Sequence, residues 1–286
     1  MKTIKQSLII LLLFPTCFLL SCKKEFNAPE KTNKTTIKST VELPTKIIAH
    51  RGSSITAPEN TLASAKLAWE QDADILECDV WLSKDKKVIV SHDETTNRTT
   101  NGNYSIPLTD SKVLRSLDAG SWKGDSFRGE KLPFLEELLA TVPENKGIFI
   151  ELKSGENMKA TELVPYVKEI VETSGKIDQV SIISFELDAL QEVKKQIPNV
   201  NAIYVTYNYF LNIPYMLEKM KSYNLDGIDT YYFSTTKWLI DKFKENGFKT
   251  YVWTLDEPKI AKKLMGYGID GITTNRPGFL KSKLSE

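Results

Sequence analysis

From position 46 onward the chain repeats one device: a short apolar run, rich in β-branched and aromatic residues, followed by a stretch with helical spacing. The runs are Lys46–Ala49, Ile75–Val80, Val88–Val90, Gly147–Leu152, Val180–Phe185, Ala202–Tyr207, Gly227–Tyr231, Lys249–Thr254 and Gly271–Thr273. Their hydrophobicity is nearly continuous rather than alternating, as expected of strands covered on both faces. Between them, sets such as Leu163, Val164, Val167, Ile170 and Val171, or Ile260, Ala261, Leu264 and Met265, recur at helical spacing. Such alternation predicts an α/β fold with parallel strands. Eight strand–helix units fit if Val88–Val90 is the return arm of a hairpin extending the second strand, with Asp85 in its turn. A closed barrel and an open doubly wound sheet share this local pattern, so periodicity leaves both open.

Lys46 to Glu286 is 241 of the 286 residues, close to the ~250 of a (β/α)8 barrel. The first 21 residues carry Lys2 and Lys5, no acid, and an apolar run from Leu8 to Leu20, the pattern of a signal peptide. Pro15 and Ser21 bracket a core shorter than the ~20 residues needed to span a bilayer. Leu19-Leu20-Ser21-Cys22 resembles a lipobox, which would make Cys22 the first mature residue and attach a lipid to it; the alternative is a plain secretory signal with an incidental cysteine. An exported protein anchored to a cell-envelope membrane, in the periplasm or at the cell surface, is the expectation. Residues 22–45, rich in Lys, Thr and Glu with Pro29 and Pro44, read as a disordered tether. Of the three cysteines only Cys78 would remain free in the mature domain, so no disulfide can form within it. Loss of Lys2 and Lys5 takes the formal charge from +1 to −1, and no basic stripe suggests a nucleic-acid partner. Nothing in the residues sets an oligomeric state.

One segment breaks the alternation. From Glu94 to about Lys131 the chain is polar, with Asn101-Gly102, Gly120, Gly124 and Gly129 as turn signals. It is too long for an ordinary connection and reads as a loop-rich insertion at the mouth of the fold, with Trp122 and Phe127 its only large exposed candidates.

The chain has two histidines, His50 and His92, the residue type that exchanges protons near neutral pH. His50 and Arg51 end the first run, His92 and Asp93 the third, and Glu151 and Lys153 lie at the end of the fourth. Ligand sites of parallel α/β folds lie beyond the C-terminal strand ends. Within Asp74–Val80, side chains two apart share a face, which puts Glu77 and Asp79 together and Cys78 opposite. Two carboxylates on one face of an apolar strand are costly unless a cation lies between them. The same period puts Glu151 beside Lys153. Three carboxylates suit a hard divalent cation, Ca2+ or Mg2+, rather than zinc; the alternative is a set of salt bridges with Arg51 and Lys153. A cation, Arg51 and Lys153 around two histidines suit an anionic phosphoryl substrate. One histidine would take a proton from the attacking group and the other would protonate the departing alkoxide.

Seven ordered blocks carry a family likeness: His50-Arg51-Gly52, Pro58-Glu59-Asn60-Thr61, Glu77-Cys78-Asp79-Val80, His92-Asp93, Glu151-Leu152-Lys153, Val252-Trp253-Thr254 and Asp270 through Pro277. In their order and spacing the chain resembles the glycerophosphodiester phosphodiesterases. The resemblance implies a (β/α)8 TIM barrel with a small insertion after the second strand. It implies His50 and His92 as the acid–base pair, Glu77, Asp79 and Glu151 as ligands of one Ca2+ or Mg2+, and Arg51 with Lys153 on the phosphate. Glu59 would orient His50 or Arg51 or lie near the metal, and Trp253 would pack on the alcohol moiety or else fill a barrel layer. The implied reaction is hydrolysis of a glycerophosphodiester to sn-glycerol 3-phosphate and an alcohol. Two alternatives stand beside it: a phosphatidylinositol-type phospholipase C, with a similar barrel and histidine pair, and a lipoprotein that only binds phosphodiesters, which would leave both histidines without a task.

Overall fold

Eight of the nine apolar runs fold as parallel strands that close on one another, in a computed structural model that describes residues 45–207 and 212–286. The expected signal segment, Cys22 and nearly all of the expected tether lie outside the described residues. In chain order the elements are β1 (Lys46–Ala49), α1 (Leu62–Glu70), β2 (Ile75–Leu82), β3 (Val88–Val90), α2 (Ser111–Leu114), α3 (Leu135–Ala140) and β4 (Gly147–Leu152). There follow α4 (Val164–Thr173), β5 (Val180–Ser184), α5 (Leu187–Gln196), β6 (Asn201–Thr206), α6 (Ile213–Ser222) and β7 (Gly227–Tyr231). Last come α7 (Lys237–Glu245), β8 (Lys249–Trp253), α8 (Pro258–Gly266), β9 (Gly271–Thr274) and α9 (Pro277–Leu284).

The sheet runs β1-β9-β8-β7-β6-β5-β4-β2, and β1 also pairs with β2, which closes the barrel that periodicity could not distinguish from an open sheet. β3 pairs antiparallel with the far end of β2, Val80 opposite Val90 and Leu82 opposite Val88, so the hairpin reading holds. That pairing carries β2 two residues past its expected end. Thr45 is already buried, its hydroxyl donating to Ile269 O. Outward-facing Leu76, Cys78 and Val80 pack with Ala65 and Ala68 of α1 in the layer between barrel and helices. At the start of α1, the Thr61 hydroxyl accepts from Ser64 N and the Ser64 hydroxyl accepts from Thr61 N, a reciprocal cap.

Strand register sorts the inward side chains into tiers, each drawn from alternate strands as in other eightfold barrels. From below upward they are Ile48, Phe149, Ile203 and Tyr251; then Glu77, Ile183, Asp229 and Thr273; then His50, Glu151, Val205 and Trp253; then Asp79, Phe185, Tyr231 and Asn275 at the mouth. The lowest is dry: Phe149 meets Tyr251 edge-on across the barrel at 5.2 Å. Every tier above it contains at least one acid.

The insertion is more ordered than its composition suggests. It holds α2 and two 3-10 turns, Ile106–Leu108 and Asp125–Phe127. Carboxylates bind its backbone: Asp85 accepts from Ser111 N and Oγ, and Asp118 from the N–H groups of Gly120, Ser121 and Gly129. Glu94 reaches across to accept from Glu156 N at 2.9 Å, tying the insertion to the loop after β4. The expected exposed pair needs correcting. Trp122 is exposed, but Phe127 is half-buried because its turn folds back against Gly120. Tyr104, Leu108 and Val113 are exposed as well, since the short helical pieces turn only Ile106, Ser111 and Leu114 inward.

Candidate active site

The turn after β1 sets the first part of the site. Arg51 and Gly52 both have positive φ, 55° and 82°, and a Cβ on Gly52 would come within 2.6 Å of the Ser64 backbone, so only glycine fits there. The turn aims Arg51 N at Glu77 Oε2, 2.8 Å away. The guanidinium spans two further acids, donating to Glu59 Oε1 at 2.9 Å and lying 3.3 Å from Asp79 Oδ2. Asn60, also at positive φ, donates to Asp79 Oδ2 at 2.8 Å. Lys153 Nζ donates to Glu151 Oε1 at 2.8 Å and lies 3.4 Å from Asp79 Oδ1.

Glu77, Asp79 and Glu151 each offer an oxygen within 4.8 Å of the others. Glu77 Oε1 and Asp79 Oδ1 are buried without a hydrogen-bond partner. Burial, then the charges of Asp79 and Glu151, pushes the Glu77 pKa well above the carboxylate range. Burial also raises Glu151, against the pull of Lys153. At Asp79 burial acts in the same direction but is outweighed by Lys153 and Arg51, so its pKa lies below the ordinary value. An all-oxygen set with two unpartnered atoms and mutual repulsion fits a hard divalent cation, whose charge would reverse the repulsion.

His50 follows the β1 strand end as expected. His92 reaches the mouth by another route: β3 runs back along β2, and Ser91 N donates to Asp79 O at 3.0 Å. The two rings have different partners. His50 Nδ1 lies 2.7 Å from Asn275 Oδ1, and Asn275 Nδ2 donates to Asp256 Oδ2, which fixes the amide so that Nδ1–H of His50 donates and Nε2 is left as a base. His92 Nδ1 lies 2.6 Å from Asp93 Oδ1, a carboxylate held in turn by Arg98 Nε at 2.6 Å. Burial and the Arg51 charge lower the His50 pKa to about 4. Burial also lowers that of His92, although Asp79 pulls it upward.

Across the mouth, on β5 to β8, the chemistry changes. Trp253 packs against Phe185, Tyr207 and Tyr231 with ring centroids 5.5, 5.0 and 5.6 Å away. A cleft of about 260 Å³, lined by Glu151, Lys153, Ser154, Phe185, Glu186 and Tyr207, joins this aromatic wall to the charged half.

The structure thus brings together His50, His92, Arg51, Lys153, Glu77, Asp79 and Glu151. Glu59 touches Arg51 and Arg98 rather than His50 or the three-acid cluster. Trp253 both fills a tier and borders the mouth. Sequence reasoning missed Arg98, which lies in the insertion with no periodicity to flag it. It quoted Asn60 and Asn275 without giving them work. It passed over Asp229, a lone acid in an apolar run, although the same contrast had singled out Glu77 and Asp79.

Residues 50–279 match the glycerophosphoryl diester phosphodiesterase family. A glycerophosphodiester phosphodiesterase of Caldanaerobacter subterraneus subsp. tengcongensis is 36% identical over 213 residues, spanning 74% of this chain and 86% of that protein. A phosphodiesterase of Oleispira antarctica, solved with the product sn-glycerol-3-phosphate, superposes with a TM-score of 0.79 at 30% identity, covering 85% of this chain and 98% of the other. A glycerophosphodiester phosphodiesterase from Parabacteroides distasonis superposes with a TM-score of 0.71 at 27% identity, again covering 85% and 98%.

Proposed function

Because the chain belongs to the glycerophosphoryl diester phosphodiesterase family, we propose that it hydrolyses glycerophosphodiesters to sn-glycerol 3-phosphate and an alcohol, with His50 and His92 as its acid–base pair. The observation that carries this is the placement of both histidines within the electrostatic reach of Arg51, Asp79 and, for His50, of His92, beside a three-carboxylate cluster that Lys153 borders. Glu77, Asp79 and Glu151 would hold one Ca2+ or Mg2+, which supplies charge stabilisation for the phosphoryl oxygens when bound. Arg51 and Lys153 orient the phosphodiester anion. Their present carboxylate partners hold them extended into the mouth.

The hydrogen-bond partners divide the labour of the pair. Asp93 lies against His92 Nδ1 and opposes the net lowering of its pKa by burial; on that carboxylate contact, which His50 Nδ1 lacks, His92 is assigned to protonate the departing alkoxide. His50 faces a neutral amide and stands beside Arg51, which keeps Nε2 free to take a proton from the attacking hydroxyl or water. General acid–base assistance of this kind is worth about 10² to 10⁴ in rate.

Purified protein with added Ca2+ or Mg2+ should release choline and sn-glycerol 3-phosphate from sn-glycero-3-phosphocholine, and EDTA should stop it. The exposed Ile55, Tyr104, Leu108, Val113 and Trp122 favour a second reading, action on an intact lipid. Turnover of phosphatidylinositol with none of glycerophosphocholine, in one assay, would establish that reading instead. The apolar run before Cys22 further supports export and anchorage through a lipid on that cysteine. Cell fractionation should then find the parent in membranes and Cys22→Ala released from them; equal partition of both would refute the anchor.

A further inference from the structure

Beneath the site, three buried polar atoms have no hydrogen-bond partner among the described residues and no part in the chemistry above: Asp229 Oδ1, Thr273 Oγ1 and Trp253 Nε1. They lie on the adjacent strands β7, β9 and β8, all facing the barrel interior. Register places Asp229 and Thr273 in the tier of Glu77, with Asp229 directly across the barrel from it, and Trp253 one tier higher. Leaving a buried polar group unpaired is costly, and such groups are few in native folds.

Asp229 is the most demanding of the three. It is 2% exposed, its register neighbours are Val205 and Tyr251, and the charge that acts on it, Glu151, has its own sign. Burial and then that charge raise its pKa well above the carboxylate range. Among the described residues no hydrogen bond to Oδ1 and no opposite charge compensates its desolvation. An acid kept under those terms has its partner in the ligand. Above it in the register lie the rings of Phe185, Tyr231 and Trp253, packed on one another. A carboxyl, a hydroxyl and an indole N–H beneath aromatic faces suit a small polyol, whose C–H groups lie on rings while its hydroxyls hydrogen-bond.

Resting on the reaction proposed above, we infer that Asp229, with Thr273 and the Trp253 indole, forms a hydroxyl-binding floor that takes the glycerol end of the substrate.

The test compares two substrates on the metal-loaded enzyme: sn-glycero-3-phosphocholine and its analogue lacking only the terminal glycerol hydroxyl, which keeps the hydroxyl next to the phosphoester carbon. The parent should prefer the first. In Asp229→Leu, kcat/KM for glycerophosphocholine should fall about 10- to 100-fold, with little change for the analogue, so that the preference disappears. Thermal melting of Asp229→Leu should be no lower than the parent's, since the exchange removes an unpaired acid. An equal loss on both substrates, or undiminished activity on glycerophosphocholine, overturns the floor while leaving the reaction standing. A parent that cleaves neither substrate overturns the proposed reaction and the floor with it.

Discussion

The two halves of the barrel mouth are built by different forces. On β1, β2 and β4, Arg51, Asn60, Lys153 and the acids Glu59, Glu77, Asp79 and Glu151 hold one another by directed hydrogen bonds and ion pairs of 2.8–3.4 Å. On β5 to β8, Phe185, Tyr207, Tyr231 and Trp253 hold one another by ring contact. The first arrangement is a network, in which deleting one member leaves others buried and uncompensated. The second is a packed wall, in which deleting one member costs contact area and little else. On the proposed function, proton transfer and phosphate binding belong to the charged half, and contact with the rest of the substrate to the aromatic half.

Substitutions on the charged half should break that separation hardest. His50→Ala and His92→Ala are each expected to lower kcat by about 10²- to 10⁴-fold with melting close to the parent's; near-parental turnover in either would remove the histidine pair from the mechanism. The same pair has a pH signature. His50 must be neutral to act as a base, and burial beside Arg51 puts its pKa at about 4. The acid limb of kcat/KM should therefore hold down to roughly pH 5 instead of falling near the ordinary histidine value of about 6.5. A smaller effect is expected on the aromatic half. Phe185→Ala should raise KM several-fold while changing kcat by less than about tenfold, because it removes binding that ground and transition states share. A fall in kcat as large as that of the histidine variants would show that the wall is part of the chemistry and erase the distinction.

The two halves also differed in how far they could be read in advance. The strands were legible because burial on both faces leaves continuous apolar runs, and the acid pair because Glu77 and Asp79 violate such a run two residues apart. Closure of the barrel was not, since it depends on β1 meeting both β2 and β9, contacts that no local pattern encodes. Arg98 was invisible for a related reason: its pairing with Glu59 joins residues 39 apart across an insertion without periodicity. On the aromatic half, ring residues read equally well as barrel filling or as a ligand surface, so Trp253 was ambiguous until its neighbours were known. A single acid such as Asp229 had no companion to raise it above an ordinary buried polar residue.

The hydrogen bond from His50 to Asn275 joins residues 225 apart, just beyond the first strand of the barrel and just beyond the last. A ribosome delivers these in sequence, so His50 is synthesised long before the group that fixes its tautomer exists. A nascent or C-terminally clipped form lacking both β9 and Asn275 has no partner for His50 Nδ1 and an open seam beside β1. The proposed base is therefore oriented only when the end of the barrel has been made.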